Sequence, residues 1–388
     1  MEVHVKTMSE GLVRLGHRVT IISTGHPTGV EHEERGGVNT YFCRDTVPGR
    51  YSETWGQASI KLLYELHAAN PFDIIWGEGG GAYYYLRSAQ RNLKIPVVTF
   101  LQGSFIGDLR SQFAEIKFNK KLIFLFAKRF PKRIYDYLTR DLIYTRKADA
   151  VIAPSKECKR DAMVEYFLRK GKITDSINGI DVQRFKPFEV KPVGLFDKLK
   201  IEKNDFLLFT ASRLTREKGI HILIQAFSGL LNTVPNTTLL IAGVGPAQKQ
   251  LEQQIKEMGI ENKVHLLGHI ENDNLVNYYN LCDLFVYPTL RYESFGISVA
   301  EAMACGRPVV AAKSGGVSTS IDNEVNGFLY KPHKPGQLES LCVRLLTDPQ
   351  LRKSIGKIAR HKAEKYLSSN RMIKDVLCVF QRLSAKTL

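Results

Sequence analysis

The 388-residue chain has no apolar run near the roughly eighteen residues that a membrane-spanning helix needs. The longest candidate, LIFLFA at 122–127, is short and flanked by lysines, so no spanning segment is expected. No basic start followed by an apolar core is read at the N-terminus, so no secretory signal is expected. The six cysteines, Cys43, Cys158, Cys282, Cys305, Cys342 and Cys378, include no Cys-x-x-Cys pair. That usage reads as buried or incidental thiols in a reducing cytoplasm.

Acidic residues are in short supply, 39 against 55 lysines and arginines, which leaves a net charge of +16. Segment 109–147 carries eleven basic residues against three acids: Arg110, Lys117, Lys120, Lys121, Lys128, Arg129, Lys132, Arg133, Arg140, Arg146 and Lys147. Phe113, Phe118, Phe124, Phe126, Phe130, Tyr135 and Tyr137 are interleaved. Basic residues mixed with aromatics suit an anionic membrane surface or nucleic acid. No nucleic-acid motif accompanies them, so a membrane is the favoured partner. A solvated helix whose aromatics face the core reads the same way.

Composition is otherwise that of a globular protein, 44% hydrophobic and 24% charged, and a packed core is expected. Short β-branched runs alternate with helical patterns, the sign of parallel α/β layers. Strands are read at 18–24, 37–43, 72–77, 96–102 and 148–155, then at 205–212, 237–243, 263–268, 284–288, 308–312 and 327–331. Between the two series lies a charged stretch with prolines. The expected organisation is a first domain over 1–184, a linker over 185–204, a second domain over 205–370 and a helix at 371–388 that packs back on the first. The chain opens in a helix pattern with no strand before it, so the first sheet is expected to lack its first strand and show a gap.

In doubly wound sheets ligands bind beyond the carboxyl ends of the strands. After the strand at 205–212, SRLTREKG sets Arg213 and Lys218 five apart, a guanidinium and an ammonium able to neutralise a diphosphate. AGVGP places Gly243 and Gly245 after the next strand, where backbone can approach a ligand closely. In YESFGISVAEAMACGRPVV, Glu293 and Glu301 flank a turn that starts a helix near Ile297. Amides at 295–298 can meet phosphate oxygens there. Glu293 can accept from sugar hydroxyls, and Glu301 can take a ribose diol with both oxygens. Each feature alone also reads as an ordinary surface charge, cap or turn. Together they fit a nucleoside diphosphate bearing a sugar.

At this point the sequence resembles the retaining glycosyltransferases of family 4, the group 1 enzymes of the GT-B fold with two Rossmann-like doubly wound domains. The resemblance rests on SRLTREKG, AGVGP, YPTLRYESFGISVAEAMACGRPVVAAKSGG, NGFLY and the interdomain signature INGIDVQRFKP at 177–187. It implies that Arg213 and Lys218 hold the donor diphosphate, that Glu301 binds the ribose and that Glu293 faces the donor sugar. It implies contacts from Phe295, Gly296 and Ile297 to sugar and phosphate, and from Gly268, His269 and Ile270 along the nucleobase. The chain has no Asp-x-Asp, in keeping with a reaction that uses no metal and no cofactor beyond the nucleotide-sugar co-substrate.

The first half departs from that pattern. Glu2-x-His4 and Gly16-His17-Arg18-Val19 are present, but the family's initial strand and Gly-Gly loop are not. A late assigned start or a truncated gene is the simplest expectation. Relatives carry a histidine near Gln102, and glutamine cannot titrate. Gln102, Gly103, Glu78 and His4 are the acceptor-side candidates, with WGEGGGAYYY (76–85) expected to be a flexible turn. The expected protein transfers a sugar with retention to a glycan or lipid-linked acceptor, in the cytoplasm or at the cytoplasmic membrane face. The competing expectations are an inactive donor-binding subunit and an epimerase or hydrolase of the same fold.

Overall fold

The computed structural model describes residues 2–88, 93–118, 130–192, 194–199 and 201–385. The chain divides into two compact units. The first comprises Met1–Ile106, Asn119–Ser176 and Ser369–Leu388, and the second Gly107–Phe118 and Ile177–Ser368. The second unit therefore takes in 107–118 and 177–184, which the sequence assigns to the first domain. For the latter the reason is packing: Ile177, Ile180, Val182 and Phe185 join the second unit's core.

Two sheets make up the first unit. In one, β1 (Val19–Ser23) runs parallel to β3 (Val38–Phe42), which pairs antiparallel with β2 (His32–Arg35). In the other, β4 (Ile75–Glu78), β5 (Val97–Phe100), β6 (Ala150–Ala153) and β7 (Ile173–Asp175) are parallel in sequence order. The strands are thus split, with β1 and β4 each ending its own sheet. Adjacent residues of β5 and β6 point to opposite faces, as strand geometry requires. Val97 and Val151 pack with Leu63, Tyr85, Leu86 and Tyr144 on one side. Val98, Phe100 and Ile152 pack with Met8, Leu12, Met372, Ile373 and Val376 on the other. The terminal helix Ser369–Ser384 thereby joins the helix Glu2–Arg14 in covering one sheet face.

The second unit holds one parallel sheet ordered β10-β9-β8-β11-β12-β13. Its strands are β8 (Phe206–Ala211), β9 (Thr237–Ala242), β10 (Val264–Gly268), β11 (Leu284–Tyr287), β12 (Val309–Ala312) and β13 (Phe328–Tyr330). Leu207, Phe209 and Ala211 enter one core layer and Leu208 the other, so β8 is buried on both faces. The unpatterned apolar runs of the sequence follow from this double covering. Cys158, Cys282, Cys305 and Cys342 lie in these cores, Cys43 is buried outside them, and Cys378 is exposed.

Among the described residues no helix is long and apolar enough to cross a membrane. Of the basic aromatic segment, Lys120, Lys121, Phe124, Phe126, Lys128 and Arg129 lie outside the described residues. The described parts, 109–118 and 130–147, are helical, with a π-type turn at Tyr137–Asp141.

Candidate active site

From β8 the chain builds outward through β9 and β10, then returns to lay β11 against the other edge of β8. Loops leaving β8 and β11 therefore part in opposite directions, and the crevice at a sheet's switch point lies beyond their carboxyl ends. Arg213 and Lys218 lie in the first loop, and Glu293 and the 295–297 turn in the second.

Backbone contacts stitch these loops together. The carbonyl of Glu217 accepts from the amides of Leu290 (2.8 Å) and Arg291 (3.1 Å). Gly219 has φ +68°, and a Cβ there would stand 2.0 Å from the Pro288 carbonyl oxygen. Only glycine fits both that backbone region and that approach. Lys218 is thereby carried to Glu293, its Nζ 2.5 Å from Oε1, with both side chains largely buried. Thr289 donates its hydroxyl to the same oxygen at 3.0 Å. The carbonyl of Glu293 accepts from the Gly316 amide at 2.6 Å, which fixes the residue from behind. Beside this pair, Arg291 bridges Asp108 (3.4 Å) and Glu217 (3.5 Å).

Glu301 lies in the helix Ile297–Ala304, whose Ser298 hydroxyl donates to the carbonyl of Ala211 at the end of β8. Residues 213 and 301 thus belong to the same end of the sheet. Burial pushes the Glu301 carboxyl up to about 7, while the Tyr279 hydroxyl and the Arg184 charge pull it back. Tyr279 donates to Oε2 at 2.8 Å. One carboxylate oxygen thus already accepts from a buried tyrosine, which orients the group whose two oxygens are expected to meet a ribose diol. The phenol of Tyr279 is held well above its ordinary value by burial, with the Glu301 charge adding to it.

Gly243 and Gly245 lie tight against the preceding loop. A Cβ on Gly243 would lie 1.8 Å from the Ser212 carbonyl oxygen, and one on Gly245 2.4 Å from that of Leu214. The close approach is to the chain's own backbone. Leu214 N donates to Val244 O (3.0 Å) and Gly243 N to Gly268 O (2.7 Å), so three strand-end loops are laced side by side. Arg213 sits in that lacing, exposed, and among the described residues its guanidinium forms no ion pair. His269 is exposed near Glu271 (3.3 Å), and Ile270 packs on the core. Phe295 is a core side chain, which leaves its backbone for the crevice together with that of Gly296, the residue that opens the helix beginning at Ile297.

In the first unit, the acceptor-side candidates meet at the carboxyl ends of β4 and β5. Glu78 lies 3.0 Å from His4 Nδ1 through Oε1, which also accepts from Trp76 Nε1 at 2.9 Å. Its other oxygen accepts from the Gln102 amide. Gly103 follows, its carbonyl facing Cys158 Sγ at 3.7 Å. The 76–85 stretch carries regular structure where the sequence reads a flexible turn, with β4 leading into a 3₁₀ turn at Gly79–Ala82 and the helix Tyr83–Arg87. Tyr83, Tyr85 and Leu86 are buried there, and their burial is what orders it. Sequence reasoning missed Gly219, Thr289, Tyr279 and Trp76. Tyr279 lies in an ordinary amphipathic pattern that carries no signal, whereas the glycine after TREK could have been suspected as a turn.

Two family models match, glycosyl transferases group 1 over residues 195–362 and Glycosyltransferase Family 4 over residues 1–184. An uncharacterized glycosyltransferase of Methanocaldococcus jannaschii is 27% identical over 387 residues, 98% of this chain and 94% of that one. A D-inositol 3-phosphate glycosyltransferase of Nocardiopsis dassonvillei is 27% identical over 62% of this chain and 57% of its own. Among solved structures, sucrose-phosphate synthase from Thermosynechococcus elongatus superposes with a TM-score of 0.80 at 19% identity, over 99% and 93% of the two chains. Anabaena HepE, solved in complex with UDP-glucose, gives 0.68 at 25% identity over 88% and 86%. Together with the GT-B architecture of its neighbours, these matches show that the chain belongs to the group 1, family 4 glycosyltransferases.

Proposed function

We propose that the enzyme transfers a sugar from a nucleotide-sugar donor with retention and without a metal. The observation that carries this reading is the grouping of Lys218, Glu293 and Glu301 beyond β8 and β11. Glu301 takes the ribose diol, Glu293 the hydroxyls of the donor sugar, and Arg213 and Lys218 the diphosphate. In the reaction the bond from the anomeric carbon to the phosphate oxygen breaks, and its electron pair leaves with the diphosphate. The acceptor hydroxyl adds to the same face, and its proton passes to the departing phosphate. The two cations and the amides at 295–297 stabilise the charge that develops. HepE, solved with UDP-glucose, supports a uridine donor as the first to try.

Gln102, Gly103, Glu78 and His4 form the acceptor side in this reading. A lipid-linked acceptor, with the enzyme docked at an anionic surface, is supported by Tyr135 and Leu138, both exposed beside Lys132, Arg140, Arg146 and Lys147. An epimerase or hydrolase would need an acid or base over the sugar, and Gln102 supplies neither.

The test is a thermal-shift panel of UDP-, GDP- and ADP-sugars, followed by transfer assays and NMR of the product anomer. A donor present at a hundred times its Kd should add roughly 2.7 kcal/mol of stability. Inversion at the anomeric carbon, or loss of activity in EDTA, would refute the mechanism. Absence of salt-sensitive flotation with anionic liposomes would remove the membrane.

A further inference from the structure

The segment Gln102–Ile106, which leaves the carboxyl end of β5, is held at both ends by acidic side chains from elsewhere in the first unit. Gln102 is tied to Glu78. The other end is gripped by Glu165, the last residue of the helix Lys156–Glu165, which is only 2% exposed. Its Oε2 accepts from the Ser104 hydroxyl at 2.7 Å and from the Ile106 amide at 3.3 Å, and its Oε1 from the Phe105 amide at 2.7 Å. Ser104 immediately precedes the helix Phe105–Phe118, the position from which a serine ordinarily caps its own helix. Here a carboxylate sixty residues away receives the first amides. That helix start is consequently closed to an outside anion.

The clamp is reinforced from a third element. The Tyr137 hydroxyl donates to the Glu165 carbonyl, and the Tyr137 ring stacks on Phe105 at 4.7 Å. The helix bearing Glu165 is itself anchored at its start, where Ser155 accepts from the Cys158 amide at 3.1 Å. A buried carboxyl is costly to ionise, and burial raises this one, with its hydrogen bonds opposing the rise. Gln102 itself is exposed, on the side of the sheet where parallel α/β folds receive ligands.

We propose that Glu165 is a positioning residue for the transfer reaction, setting the 102–106 segment so that Gln102 and Gly103 meet the acceptor. This rests on the reading of the first unit as the acceptor side. The side chain touches no reacting atom in this scheme; it acts through the segment that it holds. E165Q keeps shape and volume, but turns an acceptor oxygen into an NH₂ that faces N–H or O–H donors.

The experiment compares wild type, E165Q and S104A by hydrogen-exchange mass spectrometry and by steady-state kinetics with donor and acceptor varied separately. E165Q should speed exchange of the Phe105 and Ile106 amides at least tenfold and leave β8 and β11 unchanged. Its kcat/KM for the acceptor should fall 10–100-fold, while nucleotide affinity and donor hydrolysis change less than twofold. S104A should lie between. Unchanged exchange overturns the clamp. Faster exchange with acceptor kcat/KM intact, or with donor and acceptor constants falling together, shows a merely structural role and overturns the positioning. If wild type transfers nothing, the proposed function fails, and the exchange rates alone decide whether the clamp exists.

Discussion

Lys218 Nζ stands 2.5 Å from Glu293 Oε1, so the ammonium expected to meet the donor diphosphate is already matched by the carboxylate expected to meet the donor sugar. The pair is joined across 75 residues by the Glu217 carbonyl and the Gly219 approach to Pro288. The crevice therefore holds these two charges in register through the protein's own contacts.

K218A removes the cation and leaves the Glu293 carboxylate with neutral hydroxyl partners, Thr289 and Tyr287. It should lower kcat/KM roughly 10²–10³-fold and cost about 1–3 kcal/mol of stability through the carboxylate left behind. K218A/E293A should recover part of that stability and none of the activity. Urea melts and donor-saturated kinetics check both; a double variant no more stable than K218A would refute the pairing.

Glu301 supplies a pH dependence. Its folded pKa, about 7, lies above the ordinary carboxyl value of 4.5, so folding retains a proton that the unfolded chain releases. Its contribution to stability is full below pH 4.5, where both states are protonated, and is lost as pH rises through 7. Relative to E301Q, the ligand-free melting temperature should fall over that window. Donor binding runs the other way, because the ribose diol donates to the ionised form. Affinity should rise about tenfold from pH 6 to pH 8. Calorimetry across that range checks it; a flat profile would count against Glu301 as the ribose ligand.

Y279F takes away the hydroxyl that stabilises ionised Glu301. Without it the carboxyl rises further, and the rising limb of the binding profile should shift to higher pH while the fold stays intact. A shift in the opposite direction would contradict the assignment.

G219A places a methyl group 2.0 Å from the Pro288 oxygen on a left-handed residue. The loops must separate, and the substitution should cost at least about 2 kcal/mol along with most donor affinity. Equilibrium unfolding and nucleotide titration measure the two losses; donor affinity kept at wild-type level would show that the stitch does not set the site.

Most of the second unit was legible because its signals are local and redundant. Apolar runs such as LLFTA and LLIAG are long enough to announce buried parallel strands, and each is followed by a loop that holds candidate site residues. The first unit was harder. β2, HEER, is exposed throughout and has no apolar residue, so no pattern marks it. β7 is three residues long. The sequence marks Gly243 and Gly245 as sites of close approach, but not that the chain's own Ser212 and Leu214 carbonyls are among the atoms approached. Glu165 gave no signal because its partners lie sixty residues away. Glu78 was visible, but not its binding to His4, Trp76 and Gln102, which depends on how strand ends align.

The distribution of thiols has a practical side. Burial holds Cys43, Cys158, Cys282, Cys305 and Cys342 above the ordinary thiol range, which suppresses the reactive thiolate, whereas Cys378 is open to solvent on the helix Ser369–Ser384. A maleimide dye should couple to the native protein at that one position, giving a fluorescent reporter on the first unit with no engineering of the sequence.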